Sequence, residues 1–419
     1  MPAGTDPNQR HLDIVEVEPS WGRRIVGIEG LRGIAATAVL VSHVKGLTAA
    51  DADLGALAPV LPLLAYGLTL FFALSGFLLY RPFALALLTR TRKPDLAKYA
   101  VNRALRIYPA YLVVLLVVSL VLATANTAPL TVADSARGDR VGYLGDPLLL
   151  LLNATMLQTF VPFGVQTGIG VAWSLTVELV FYVVMPLLFL AVWALRRRGG
   201  LLAAFAPAGV MLVIGVTTKA LSAPLYAGLT GDEALVAGWG GTWSAVLARS
   251  FLMHADQFAF GMAAAVLLEY FRQTHETPAH LRPWRWGILA GGLAAAITAR
   301  VLDLGVFEDT VFAAACGALL FFVACPSRSG AGGAFARALD WGPIRYTGLV
   351  SYSMYLWHMS VIWLVLRHGL VVPGDTLGAF LANVVIVLAG TLALSTASYF
   401  LVERPALLLK SRMGARAAR

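Results

Sequence analysis

Charge is scarce in this chain. Only 13% of its 419 residues are Asp, Glu, Lys or Arg, where a soluble domain of this length carries about a quarter, and 58% are hydrophobic, with a mean hydropathy of +0.75. That balance excludes an ordinary soluble globular fold and points to an integral membrane protein. Cysteine is nearly absent: Cys316 and Cys325 share one apolar segment, about 13 Å apart if it is helical, too far to bridge each other. No disulfide framework and no CxxC metal site follows. HExxH, Walker and metal-ligand patterns are missing, so no metal site and no tightly held cofactor is expected. Internal repeats and matched pairs of broken hydrophobic segments, which mark many secondary transporters, are missing too. Residues 1–24 are polar, acidic and proline-containing, without the apolar centre of a cleaved signal peptide. They read as a disordered cytoplasmic tail, and the first apolar run is expected to stay as a helix.

What the chain does have is apolar runs of about 20 residues, the length that crosses a bilayer, at 31–49, 60–80, 107–125, 172–195, 200–218, 250–270, 284–301, 309–325, 346–366 and 378–402. They predict an all-α integral membrane protein, a bundle of about ten transmembrane helices around an interior polar cavity. The formal charge of +9 would suggest a nucleic-acid partner if the basic residues formed a patch on a folded surface. They lie instead in the short loops between apolar runs, so the expected partner is the lipid bilayer and no nucleic acid. With the N-terminus in the cytoplasm, 25 of the 32 Lys and Arg fall on the inner side, which predicts both ends cytoplasmic in an inner (plasma) membrane. Residues 126–171 are then outside. Their apolar stretch "YLGDPLLLLLNATMLQTFVPF" is bounded by Pro147 and Pro162 and is too short to span, so an interfacial or re-entrant helix is expected.

Ionisable residues inside apolar runs are costly and usually face a bundle interior, so they locate the candidate site. In "GLRGIAATAVLVSHVKG" the step from Arg32 to His43 is eleven residues, about 1100° of helical rotation. Both side chains therefore face nearly the same way, about 16 Å apart along the axis. A histidine held away from water is neutral and able to take a proton, which makes His43 a candidate general base. The plainer alternative is a structural histidine bonded to a neighbouring carbonyl, with Arg32 acting only as an orienting charge. "VNRALRIYPAY" carries Arg103 and Arg106 at i and i+3, with Tyr108 beside them, on what reads as a short amphipathic helix on the inner surface. Two guanidiniums there could hold phosphates, and contact with lipid headgroups is the competing reading.

"AWSLTVELVFYVVMP" places Trp173 at the outer start of the fourth run and Ser174, Glu178 and Tyr182 on one stripe. Glu178, the only carboxylate in that run, needs a partner; an imidazolium, a substrate hydroxyl or a structural ion pair would serve. In "LFFALSGFLLYRPF" Ser75 precedes Gly76. A nucleophilic serine would need an adjacent base and usually a G-x-S-x-G elbow, which is absent, so close packing through small residues is the simpler role. "GLVSYSMYLWHMS" sets Ser351, Tyr355 and His358 on one face, with His358 either a second polar group of the same cavity or a satisfied core histidine.

Taken in order, "IEGLRGIAATAVLVSH", "FFALSGFLL", "RALRIYPAY", "WSLTVELVFY" followed by Pro186, "GLVSYSMYLWH" and the closing "ERP" resemble the acyltransferase-3 family of bacterial multi-pass membrane O-acyltransferases. The resemblance covers about residues 25–405, leaving a basic tail at 406–419. It implies ten core helices and transfer of an acyl group, commonly acetyl from acetyl-CoA as co-substrate, to a hydroxyl of a glycan, glycolipid or antibiotic. It ties activity to an arginine and a histidine with ten residues between them, matched here by Arg32 and His43. Some relatives carry an additional hydrolase-like domain; this chain stops soon after its last helix, so the core is expected to work alone or with a separate partner. The combined expectation assigns His43, Arg32 and Glu178 to catalysis and Arg103, Arg106, Tyr108 and Ser75 to the donor. Trp173, Ser174, Tyr182, Tyr355 and His358 go to the acceptor or to support. A different class, a proton-coupled transporter or flippase of a lipid-linked or glycan substrate with His43, Glu178 and His358 as relay, uses the same residues; hydrolysis of acetyl-CoA by the purified protein separates the two.

Overall fold

The computed structural model describes residues 25–50, 52, 54–90, 92–131, 140–194, 200–274, 281–324 and 333–409. The two tails expected at 1–24 and 406–419 lie outside it, except for residues 406–409, and so does Cys325. Helices account for most of it. In order they are α1 (Ile28–Thr48), α2 (Gly67–Thr89), α3 (Leu96–Leu120), α4 (Pro147–Ala154), α5 (Trp173–Val192), α6 (Gly200–Tyr226), α7 (Gly231–Trp239), α8 (Trp243–Ala248), α9 (Phe251–Gln273), α10 (Leu281–Val301), α11 (Glu308–Ala324), α12 (Gly333–Leu339), α13 (Gly342–Leu349), α14 (Ser351–Arg367) and α15 (Leu377–Ser398). A single antiparallel pair of two-residue strands, β1 (Ala125–Asn126) and β2 (Val141–Gly142), is the only sheet among the described residues.

Seven described helical stretches are long and apolar enough to cross a membrane, and α13 with α14, bent by 77°, makes an eighth if counted as one span. Ten were expected. The two that fall short, α1 and α10, are helices of 21 residues each. Glu29, Arg32 and Lys45 dilute the apolar run of the first, and Arg285, Arg300 and several glycines that of the second. The break between α13 and α14 falls at Val350. No proline marks it in the sequence.

A second correction concerns Arg103 and Arg106. They do not sit on a separate surface helix: α3 begins at Leu96 and runs unbroken for 25 residues past Pro109. Asp95 starts it as an N-cap, accepting a hydrogen bond from the Lys98 amide at 2.9 Å, so the amphipathic stretch is the opening of a spanning helix. Between α3 and α5 the chain builds a small cap, in which α4 is an eight-residue helix capped by Asp146 with Pro147 at its first position. Leu148 and Leu151 are exposed on it while Asn153 is buried, as befits a short helix at an interface.

The core is aromatic where α2, α5 and α9 meet. Phe181 stacks on Phe258 at 4.2 Å, and Phe83 meets Phe189 edge to face at 5.0 Å. The backbones of α2 and α9 come close enough that only glycine fits at the crossing. A Cβ on Gly76 would lie 2.3 Å from the Phe258 carbonyl oxygen, and one on Gly261 1.8 Å from that of Ala73. Packing through small residues was expected at Ser75–Gly76, and Gly76 supplies it. Three ion pairs link buried charges across the bundle: Lys219 with Asp256 at 2.6 Å, Arg81 with Glu269 at 2.8 Å and Arg106 with Glu403 at 3.0 Å.

Candidate active site

Three guanidiniums converge on one cavity in the bundle. Arg32 from α1 and Arg103 and Arg106 from α3 line it together with Ser75 of α2, Ser174, Glu178 and Tyr182 of α5, and Ser351, Tyr352 and Tyr355 of α14. The wall between them is apolar, with Phe71, Phe72, Leu74 and Ile107 among its residues. A few charged groups in an apolar wall interact strongly, because little water screens them.

Glu178 finds partners other than the imidazolium considered from the sequence. Ser75 donates its hydroxyl to Glu178 Oε1 at 2.5 Å, and Tyr182 donates to the same oxygen at 2.7 Å. The i, i+4 spacing on α5 supplies the tyrosine, while the serine arrives from α2, 103 residues away in the chain. Ser174, one turn before Glu178, shares a hydrogen bond of 2.6 Å with the Tyr355 hydroxyl, which ties α5 to α14.

The three arginines are held differently. Arg106 is ion-paired with Glu403, whose other carboxylate oxygen accepts from Ser353, and its guanidinium lies 5.5 Å from the Tyr352 ring. Among the described residues Arg32 pairs only with a distant carboxylate, Glu29, at 3.9 Å. Arg103 lies against the rings of Tyr99 and Tyr182, at 6.0 and 5.8 Å, and its Nε is buried without a hydrogen-bond partner among the described residues. Arg103 and Arg32 therefore keep donors available for an anion, and Arg106 is largely neutralised by Glu403.

His43 lies farther along α1 than Arg32 and does not line the cavity. Its ring packs against that of His358 on α14, centroids 5.0 Å apart, and His358 in turn lies 5.7 Å from the ring of Tyr355. Tyr352, Tyr355 and His358, three residues apart on α14, thus form a ladder that begins beside Arg106 and ends at His43. His43 Nδ1 lies 2.8 Å from the Val39 carbonyl and His358 Nδ1 3.2 Å from that of Met354, each four residues back on its own helix. A carbonyl only accepts, so each Nδ1 carries the proton and each Nε2 is a bare lone pair. The carbonyl bond anticipated for a structural histidine is present, and it leaves the basic nitrogen free.

Two of the expected site residues fall elsewhere. Tyr108, although half-buried on α3, does not line the cavity. Trp173 turns away from it, packing on Trp239 at 5.9 Å and on His254 at 5.3 Å, with the Arg249 guanidinium 4.8 Å from its ring. The sequence reading missed Glu403, although the closing "ERP" contained it. It also missed the buried group of Lys219, Asp256 and Thr310, in which Lys219 Nζ reaches both Asp256, at 2.6 Å, and Thr310, at 2.8 Å. No cluster of metal-ligating side chains occurs among the described residues.

An all-helical, multi-pass membrane protein with arginines, a carboxylate, hydroxyls and a neighbouring imidazole pair gathered in one region has the equipment of a membrane-embedded transferase. The sequence profile of the acyltransferase-3 family, described as an acyltransferase domain, matches residues 25–400, and the chain belongs to that family. It is also similar to Nodulation protein 10 of Rhizobium leguminosarum bv. viciae, with 28% identity over 367 residues that span 84% of each chain. No solved structure matches it.

Proposed function

We propose that this membrane acyltransferase takes its acyl group, acetyl in the simplest case, from acyl-CoA on the cytoplasmic side and delivers it to a hydroxyl of a glycan, glycolipid or small-molecule acceptor. The observation that carries this reading is the convergence of Arg32, Arg103 and Arg106 on a cavity that also presents Ser75 and Glu178. A coenzyme A donor is phosphate-rich, and guanidiniums with unused donors are the side chains suited to it. The positive-inside distribution puts the starts of α1 and α3, and with them these arginines, toward the cytoplasm, where acyl-CoA resides. Both chain ends then face the cytoplasm across an inner (plasma) membrane.

In this scheme Arg103 and Arg32 hold donor phosphates and Arg106 shapes the entrance. The acceptor hydroxyl approaches from the far end of the α14 ladder, where the bare Nε2 of His43 removes its proton as the new ester forms. Ser174 and Tyr355 line the path between the two. The cationic walls of the cavity favour the negative oxygen of the tetrahedral intermediate.

The test is acyl transfer by the purified protein in detergent, given acetyl-CoA and a glycolipid extract of the cell envelope. Release of the CoA thiol that depends on the extract, with acetyl appearing in a lipid fraction, is the expected result. Mass spectrometry of envelope lipids from cells with and without the gene then identifies the acceptor. Protein that binds acetyl-CoA yet releases no thiol with any extract or glycan overturns the reading.

A further inference from the structure

Ser75, like Ser353 and Thr310, donates its hydroxyl to a carboxylate of another element, and of these three it alone lines the cavity. Thr37, Thr48, Thr89 and Thr218 each donate to the carbonyl four residues back, the usual way a hydroxyl is satisfied inside a helix. Ser75 instead donates across to α5, to Glu178 Oε1 at 2.5 Å. Both groups line the cavity and neither is fully buried. The next residue, Gly76, lets this stretch of α2 pack directly against the Phe258 carbonyl, which fixes the backbone that carries the serine. The base whose absence from the sequence argued against a nucleophile is therefore present, brought from a helix 103 residues away.

We infer that Ser75 carries the acyl group as a covalent ester between donor and acceptor, with Glu178 as its base. This rests on the acyl-CoA reading above and extends it. His43, the base for the acceptor, does not line the cavity that the arginines surround, whereas Ser75 and Glu178 do. A donor anchored by those arginines shares the cavity with Ser75, whose hydroxyl is already bonded to a carboxylate. In the first half-reaction Ser75 Oγ attacks the thioester carbon and its proton passes to Glu178. The C–S bond then breaks, and CoA leaves as the thiol, taking the proton back from Glu178. A thioester is an activated acyl donor, so a carboxylate is base enough for this step. In the second half-reaction the acceptor oxygen attacks the seryl ester and its proton goes to His43; the seryl C–O bond then breaks and that same proton passes from His43 to Ser75 Oγ, so both groups end as they began. Tyr182, bonded to the same Glu178 oxygen, orients the carboxylate and is a positioning residue.

A carrier serine makes the first half-reaction reversible without any acceptor, so the protein should exchange label between free radiolabelled CoA and unlabelled acetyl-CoA in detergent. Direct transfer in a ternary complex gives no such exchange. Brief incubation with acetyl-CoA alone followed by denaturation and peptide mass spectrometry should find one acetyl on the peptide containing Ser75, removable by hydroxylamine. Ser75→Ala should abolish exchange and label while still binding acetyl-CoA, which shows that the variant folds. Ser75→Cys should retain label, now as a thioester, and Glu178→Gln should slow exchange by about 100-fold or more. Wild-type protein that transfers acetyl to an acceptor without exchange or label overturns the carrier and leaves the acyl-CoA reading standing. Label on another residue, or transfer that survives Ser75→Ala, overturns it as well. Protein that binds acetyl-CoA but neither exchanges nor transfers overturns both.

Discussion

The imidazoles of His43 and His358 face one another across α1 and α14 with ring centroids 5.0 Å apart, each with its Nδ1 proton committed to a carbonyl of its own helix. Two bare Nε2 atoms are thus supplied to one seam, and neither ring can act as a proton donor to the other. His358 Nε2 is buried with no partner among the described residues. A buried acceptor left in this state is costly unless a hydroxyl or a water comes to it. A hydroxyl brought into this seam would satisfy that nitrogen.

His43→Ala should fold and bind acetyl-CoA, and should lose on the order of 100-fold or more in transfer to the acceptor, the usual size of a general-base contribution. The acceptor-independent exchange of CoA should stay within a few-fold of wild type, because the donor half-reaction uses Glu178. Measuring both rates in one preparation decides the matter. Near wild-type transfer by the variant would leave His43 structural.

The arginines should divide by their partners. Arg103→Ala should weaken acetyl-CoA binding more than Arg106→Ala does, because Arg106 is already paired with Glu403, whereas Arg103 has no carboxylate partner among the described residues. If phosphate is the ligand, the loss with Arg103→Ala should shrink when 3′-dephospho-CoA replaces CoA. Calorimetric titration of both variants with both donors provides the comparison. Equal losses everywhere would assign these arginines to orientation in the membrane.

Lys219 and Asp256 offer a test of stability rather than chemistry. Their side chains are 1% and 0% exposed, so Lys219→Met leaves a carboxylate buried without its counter-charge, at a cost of about 3–5 kcal/mol. The double variant Lys219→Met with Asp256→Leu should recover most of that loss. Thermal unfolding in one detergent, followed by tryptophan fluorescence, measures both. A double variant no more stable than the single one would mean that Asp256 does more than balance the lysine.

Orientation is testable at two exposed positions on either side of α3. In a cysteine-free background, Tyr143→Cys should react with an impermeant maleimide on whole cells, and Arg92→Cys only after permeabilisation. The reverse pattern would invert the topology and with it the side from which the donor enters.

What the sequence disclosed follows from range. A run of about 20 apolar residues declares a helix by itself, so α2, α5, α6, α9, α11 and α15 stood near their expected places. The shared face of Arg32 and His43 is a property of one helix, and it was visible as such. The partners of Glu178 were not, since Ser75 lies 103 residues away and no local pattern selects it. Arg106 and Glu403, separated by 297 residues, posed the same problem. The surface helix expected at 101–111 failed for a different reason: charged residues at the start of a spanning helix resemble an amphipathic one until the N-cap at Asp95 is recognised. Val350 gave little warning of the bend between α13 and α14 because no proline stands at it, and the nearest breaker is Gly348 two residues before.

The chain does not leave α15 as a regular helix: Tyr399–Glu403 form a π-helical turn, and Glu403 at its end holds Arg106 and Ser353. Such a turn accommodates one residue more than an α-helical turn would, and each residue of helix is worth about 100° of azimuth. Shortening the segment between Ser398 and Glu403 by one residue would carry the carboxylate about a quarter-turn away from Arg106 with every side chain still available. The spacing of this segment, rather than its composition, is therefore what selection must guard, and single-residue deletions here should be far less tolerated than most point substitutions.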